Sequence, residues 1–262
     1  MRMPVEVRMI TAADDFLAIE NLQKMAWEMG DETTVPSHVL QACCKYDAGF
    51  LAGAFFEGKI IGFVLAFKTE DQNVYYSHMM GIEPAWQKGK NGFSVAMLLK
   101  DFQKKEILRK GADSIVWTFD PLLSVNANLN FHKLRVDVIR YEPDAYGETS
   151  EVGIYAGMPT DRVLVRWFLK GSKRVLSVKD AINTYLISSP DEIEGSYFRV
   201  EIPLDIQKLK EEDIDSARAA RLKLREIFLE ALKRGYNVED FICLKEEEKN
   251  YYVFSEDDSS PC

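Results

Sequence analysis

The stretch Tyr76–Leu99, YSHMMGIEPAWQKGKNGFSVAMLL, constrains the fold more than any other part of the chain. It reads as a strand, then a basic loop containing Gly89 and Gly92, then the start of an apolar helix. A glycine loop delivered to a helix N-terminus leaves its N–H groups unpaired at the positive end of the helix dipole, an arrangement that suits a phosphate. Lys88 and Lys90 put two mobile cations at the same point.

The patterning on either side of this stretch predicts the surrounding elements. Val5–Met9 reads as a strand, and Thr11–Gly30 as a helix capped by Thr11 or Asp14, with Phe16, Ile19, Leu22 and Met25 near helical spacing. Pro36 and Ser37 open a short second helix. GFLAGAFFEGKIIGFVLAFKT is two apolar runs joined by Glu57-Gly58-Lys59, a hairpin signal. The strand VYYSHMMGI follows, then the loop, a helix from about Asn91 to Gly111, a buried strand Ser114–Phe119, and a helix Ser124–Leu134 capped by Ser124. Helices on one mixed, mostly antiparallel sheet give an α+β class.

Beyond Asp137, Val138–Tyr141, Gly153–Ala156, Val163–Leu169 and YFRVEIP read as strands, with Pro203 stopping the last. Val178–Ile187 fits helix or strand equally. Glu211–Gly235 reads as one amphipathic helix burying Ile214, Ala217, Leu224, Ile227, Phe228 and Leu232. Asn250–Ser255 is a final strand, and EDDSSPC a disordered tail. The most polar junction, Lys170–Lys179, divides a core of residues 1–170 from a C-terminal extension of residues 171–262.

A chain of 262 residues, 47 % of them hydrophobic, can bury a substantial core. Its formal net charge of −9 argues against a general nucleic-acid binder, which needs a basic stripe. Lys100, Lys104, Lys105, Arg109 and Lys110 read as the solvated face of the helix that follows the loop. No apolar run approaches the ~18 residues of a membrane span, and MRMPVEVRMI is no signal peptide. The expectation is a cytoplasmic protein with no membrane partner. Cys43, Cys44, Cys243 and Cys262 form neither a disulfide framework nor a zinc pattern, so reduced thiols and no metal are expected.

The loop and its flanks resemble motif A of the GNAT superfamily of acyl-CoA N-acyltransferases, whose pattern is Gln or Arg, two residues, Gly, one residue, Gly or Ala. Gln87-Lys88-Gly89-Lys90-Asn91-Gly92 keeps the first and last members, but Lys90 stands in the middle glycine's place and Gly89 comes one position early. If that position needs φ > 0, lysine is disfavoured by about 1 kcal/mol or more; re-registration on Gly89 and Asn91, or a decayed site, are the alternatives. The resemblance implies that Gln87 to Gly92 hold the pyrophosphate of coenzyme A. It also implies that the backbone of Met80, Gly81 and Ile82 holds the pantetheine arm as an added strand.

Trp117–Val136, WTFDPLLSVNANLNFHKLRV, resembles the strand and helix that close the GNAT core. Of its three asparagines, Asn126 and Asn130 share a helix face, and the resemblance implies contact with coenzyme A there. Phe131 takes the place of the tyrosine that often protonates the departing thiolate, and Arg135 the place of a glycine. Trp27, Val35-Pro36, PTDR at Pro159–Arg162 and Gly235-Tyr236-x-Val-x-Asp-Phe extend the resemblance over most of the chain, to a subgroup with an extended C-terminal half. Some members of that subgroup are linked to succinyl transfer onto amino acids.

Two residues of the strand are candidate general bases. Glu83 ends it and would act directly or through water; a surface glutamate in a Glu-Pro turn is the competing role. An unperturbed histidine titrates near neutrality, which suits His78 to the role, and strict alternation puts it on the face of Met80 and Ile82; a packed, hydrogen-bonded core histidine is its competing role. The expected function is acyl-CoA-dependent transfer of an acetyl or succinyl group to a small-molecule amine. The alternative is a non-catalytic GNAT-fold protein, a coenzyme A sensor or interaction module, in keeping with Lys90, Phe131 and Arg135. Trp27, Glu28, Trp117, Phe119 and Asp120 are candidate acceptor-pocket residues, and the helix 211–235 fits packing in cis or a homodimer seam equally well.

Overall fold

A computed structural model describes residues 5–27, 30, 33–87, 94–147, 157–171, 181, 183–244 and 247–256. The expected loop Lys88–Gly92, Glu28 and the expected strand Gly153–Ala156 lie outside the described residues. The chain divides into two compact units. The first is built from residues up to Trp117 together with Phe168–Lys170, the second from Thr118 onward.

In the first unit β1 (Glu6–Met9), β2 (Gly49–Phe56), β3 (Lys59–Lys68) and β4 (Val74–Ile82) pair antiparallel in sequence order, and β5 (Ser114–Phe119) pairs parallel with β4. The β2–β3 turn puts Glu57 and Gly58 at φ 50° and 77°, the left-handed pair of a two-residue hairpin loop. Both strands are buried on both faces, which is why they read as continuous apolar runs. One face is covered by α1 (Ala13–Trp27) and α2 (Ser37–Lys45), whose Phe16, Ile19, Leu22 and Leu40 pack with Leu51, Phe63 and Leu65. The other is covered by α4 (Val95–Arg109), since a Cβ on Gly62 would meet Val95 and Leu99. A short α3 (Pro84–Gln87) lies between them in sequence. Ser94 caps α4 by accepting from the Met97 N–H, and Gly111 at φ 93° follows its end. Buried Gln23 fixes the approach to α2, donating to the Val35 carbonyl and accepting from the Val35 N–H at 3.1 and 2.9 Å.

The second unit holds an antiparallel pair, β6 (Asp137–Glu142) and β7 (Arg162–Phe168), and a four-stranded sheet ordered β10-β11-β9-β8. The last four strands are Tyr185–Ile187, Tyr197–Ile202, Tyr236–Leu244 and Lys249–Glu256 for β8 to β11. The expected helix Ser124–Leu134 is one α-turn, α5 (Ser124–Ala127), continued by a π-helical segment, Asn128–Leu134. Ser124 is not its cap: its hydroxyl donates to the Pro203 and Leu204 carbonyls instead. The expected helix 211–235 is two helices, α6 (Ile206–Glu212) and α7 (Ile214–Lys233). Asp213 breaks the run because its carboxylate accepts from the N–H groups of Asp215 and Ser216, starting α7 afresh. The buried stripe of α7 contains Arg221 and Ala231 beside the expected Ala217, Leu224, Ile227 and Phe228, while Leu232 is half-buried.

Candidate functional site

β4 and β5 pair only at Val74–Ser114, Tyr75–Ile115 and Tyr76–Val116. From Ser77 to Ile82, β4 pairs with β3 alone among the described residues. The strands therefore part at Tyr76 and Val116, and the far edge of β4 keeps peptide groups that no strand among the described residues engages. The Ile82 carbonyl accepts from the Gln87 side chain at 3.0 Å, which folds that glutamine back over the strand end.

One extra residue sits in this edge. Leu65 pairs with Met79 and Ala66 with Ser77, so His78 is a β-bulge. The bulge overturns the expected facing of His78. Its ring lies against Phe67 and Tyr76, with centroids 5.3 and 6.1 Å apart, and Phe67 and Met79 pack on the core under α1 and α2. Met80 and Ile82 face the other way: Ile82 stands opposite Gly62, whose outward direction is α4. His78 is exposed at its outer edge rather than packed in the core, and burial of its flank lowers its pKa from the ordinary imidazole value.

Gly81 has no room for a side chain, because a Cβ would lie 2.6 Å from Phe63 Cε1 and 3.0 Å from Trp27 Cη2. Trp27 stands edge-on to Phe63, with centroids 6.0 Å apart. Glu83 forms the turn after β4: its N–H donates to the Ile61 carbonyl at 2.9 Å, and its carbonyl accepts from the Trp86 N–H at 2.8 Å. Its carboxylate is held to no partner by these bonds.

Lys100, expected on a solvated helix face, is buried, with 3 % of its surface exposed. Its ammonium donates to Ser77 Oγ at 3.3 Å and Gln103 Oε1 at 3.1 Å, and lies 4.0 Å from the centre of the Trp117 ring. Desolvation lowers its pKa to about 7. A signal for this was present in the sequence: Lys100 and Gln103 flank the inward stripe Val95, Leu99 and Ile107, so a helix burying that stripe carries them toward the sheet.

In the second unit, Asn126 is half-buried and Asn130 is buried, the carbonyl of the latter accepting from the Val136 N–H. Phe131 is buried between Phe119 and Tyr252, and the Tyr252 hydroxyl donates to the Pro121 carbonyl at 2.6 Å. Arg135 adopts φ 58°, the left-handed conformation a glycine enters freely, and its guanidinium lies 2.9 Å from the buried Asp240, which also holds His132 Nδ1 at 3.0 Å. Among the described residues no cluster of His, Cys, Asp and Glu could hold a metal, and no helix is long and apolar enough to cross a membrane.

Several solved structures are similar to this chain. An N-acetyltransferase from Staphylococcus aureus Mu50 is 14 % identical, with TM-score 0.51 over 64 % of this chain and 100 % of its own. A putative GNAT-family acetyltransferase from Desulfovibrio desulfuricans is 11 % identical, with TM-score 0.50 over 64 % of this chain and 100 % of its own. The chain has the GNAT fold. A third GNAT-fold structure, the putative acetyltransferase yncA from Salmonella typhimurium with acetyl-CoA, is 13 % identical, with TM-score 0.50 over 67 % of this chain and 99 % of its own. Those proteins are matched end to end, while this chain adds strands and helices on its C-terminal side to the GNAT fold. No family model matches the sequence, and no curated protein does.

Proposed function

We propose that this protein is an acyl-CoA-dependent N-acyltransferase that passes an acetyl or succinyl group to the amine of a small molecule. The observation that carries this reading is the open edge of β4 from Ser77 to Ile82, just before the basic loop and the start of α4. An extended pantetheine arm carries two amides and adds to such an edge as a strand does. In this reading the backbone of Met80, Gly81 and Ile82 holds pantetheine and polarises the thioester carbonyl. Gln87 with Lys88, Gly89, Lys90, Asn91 and Gly92 holds the pyrophosphate, and Asn126 and Asn130 contact the coenzyme.

The chemistry is direct transfer. The neutral amine attacks the thioester carbon, and the C–N bond forms as the C–S bond breaks. The amine's proton passes to His78, whose imidazole is exposed and mainly neutral near pH 7, or to Glu83 through water. The thiolate takes its proton from solvent, because Phe131 has none to give.

Phe131 also favours a second reading, a coenzyme A sensor or interaction module without turnover. It is buried against Tyr252, whose own hydroxyl is committed to a backbone carbonyl. Titrating coenzyme A, acetyl-CoA and succinyl-CoA into the full chain, followed by an amine screen, separates the readings. Micromolar binding with thiol release supports the transferase, binding without release supports the sensor, and no binding leaves the interaction module.

A further inference from the structure

A buried ammonium needs a reason. Each N–H of Lys100 finds a neutral acceptor: the Ser77 hydroxyl, the Gln103 amide oxygen and the face of Trp117. Gln103 Nε2 closes the triangle by donating to Ser77 Oγ at 3.2 Å. The hydrogen bonds are met, but among the described residues no carboxylate pairs with the charge. Desolvating an ammonium without an anion costs several kcal/mol, and a methionine of similar length would fill the same space without that cost.

The position of the cation is as informative as its isolation. Tyr76 and Val116 are the last paired residues of β4 and β5, and Ser77 and Trp117 are the next residue on each strand. Lys100 touches both. Its ammonium therefore marks the apex of the fork where the two strands part. It lies on the α4 face of the sheet, whereas His78 lies on the face of α1 and α2.

We propose that Lys100 selects the acyl group, and that the fork takes an acyl-CoA whose acyl chain ends in a carboxylate, which pairs with the Lys100 ammonium. This rests on the acyl-CoA reading of the open β4 edge. With the phosphates at the loop beyond Ile82, the pantetheine arm runs back along β4 toward Ser77. From Ile82 to Ser77 the strand runs opposite Gly62 to Ala66, four ladder steps or about 13 Å, a run that an extended pantetheine arm fills, so the thioester arrives near the apex. An acyl chain continuing in that direction meets Lys100, and a terminal carboxylate supplies the missing counter-charge. The Ser77 and Gln103 bonds hold the ammonium in place before the ligand arrives, so little ordering is left to binding.

The test titrates acetyl-CoA, butyryl-CoA and succinyl-CoA into the full-length protein and its Lys100→Met variant. Butyryl-CoA matches the succinyl chain length without the charge. The expected result is that wild type prefers succinyl-CoA over both neutral thioesters by about tenfold or more, as befits a buried charge pair. Lys100→Met is expected to lose that preference while keeping its acetyl-CoA affinity within about threefold. Lys100→Gln, which keeps a hydrogen-bonding head without the charge, is measured in parallel and should behave alike if the methionine variant misfolds. Equal wild-type affinity for butyryl-CoA and succinyl-CoA overturns the proposal, as does a preference that survives loss of the charge. Binding of none of the three removes the acyl-CoA reading and this proposal with it, a result distinct from binding without selectivity.

Discussion

Arg221 grips Asp120 with two hydrogen bonds, Nη1 to Oδ1 at 2.6 Å and Nη2 to Oδ2 at 2.7 Å, and both side chains are buried. Burial works against the guanidinium's charge, but Asp120 outweighs it and keeps Arg221 protonated. A second cluster lies in the same unit, where Asp161 accepts from Arg225 at 2.6 and 2.9 Å and from the Tyr141 hydroxyl at 2.6 Å.

Arg221→Met removes both guanidinium bonds to the buried Asp120, leaving it the Leu122 N–H and Arg162 at 3.9 Å, and urea unfolding should show a loss of about 3 kcal/mol. Replacing Asp120 with leucine in that background should recover part of the loss, because two apolar groups then meet. If the double variant is less stable than Arg221→Met, the pair is held by more than its own charges.

Lys100 makes stability pH-dependent in a definite direction. Its pKa falls from 10.5 in the unfolded chain to about 7 in the fold. Between these values the unfolded state binds the extra proton, so the contribution of Lys100 to stability rises with pH, by up to about 1.4 kcal/mol per unit. Measured from pH 7 to pH 9.5, the urea midpoint of wild type should climb relative to that of Lys100→Met. Parallel profiles would mean that Lys100 keeps its proton throughout.

Gly81→Ala tests the packing behind the open edge. The added methyl would collide with Phe63 and Trp27, costing about 1–3 kcal/mol in thermal or urea unfolding and weakening coenzyme A binding. Phe63→Leu in the same chain should relieve part of both defects. Affinity that stays at the wild-type level in Gly81→Ala would place the coenzyme elsewhere.

His78 should set the acid limb of transfer. In the proposed reaction its neutral form is the active one, so its lowered pKa should move the fall in kcat/KM to more acid pH than an ordinary histidine would. His78→Gln should cut the rate by about 10²-fold or more and remove that limb, with stability changed by less than about 0.5 kcal/mol because the ring's edge is exposed. An unaltered pH profile would pass the role to Glu83, and efficient transfer by the variant lacking both would remove the base assignment.

The β2–β3 hairpin was legible because its signals agree: two unbroken apolar runs and a Glu-Gly turn that accepts positive φ. The end of α4 was equally plain, from Gly111. The facing of His78 was not, because alternation assumes equal residue counts on paired strands and gives no sign of an inserted one. The burial of Lys100 was not legible because charge signals exposure, although the stripe beside it points inward. Asp213 was hidden for a different reason: helical spacing continues across it, and only its side-chain bonds to the next turn reveal the break.

The extra residue in β4 divides the strand into two halves of opposite parity. Even-numbered Tyr76 faces α1 and α2 beside Phe67, yet even-numbered Met80 and Ile82 face α4. Deleting His78 would therefore do more than remove an imidazole. It would also remove the bulge, leaving Ser77 and Met79 in consecutive pairing with Ala66 and Leu65 while both halves of the strand keep their faces. A relative one residue shorter here should keep the same residues on each face on both sides of a gap at His78, so its β4 is best aligned in two pieces with the gap placed there.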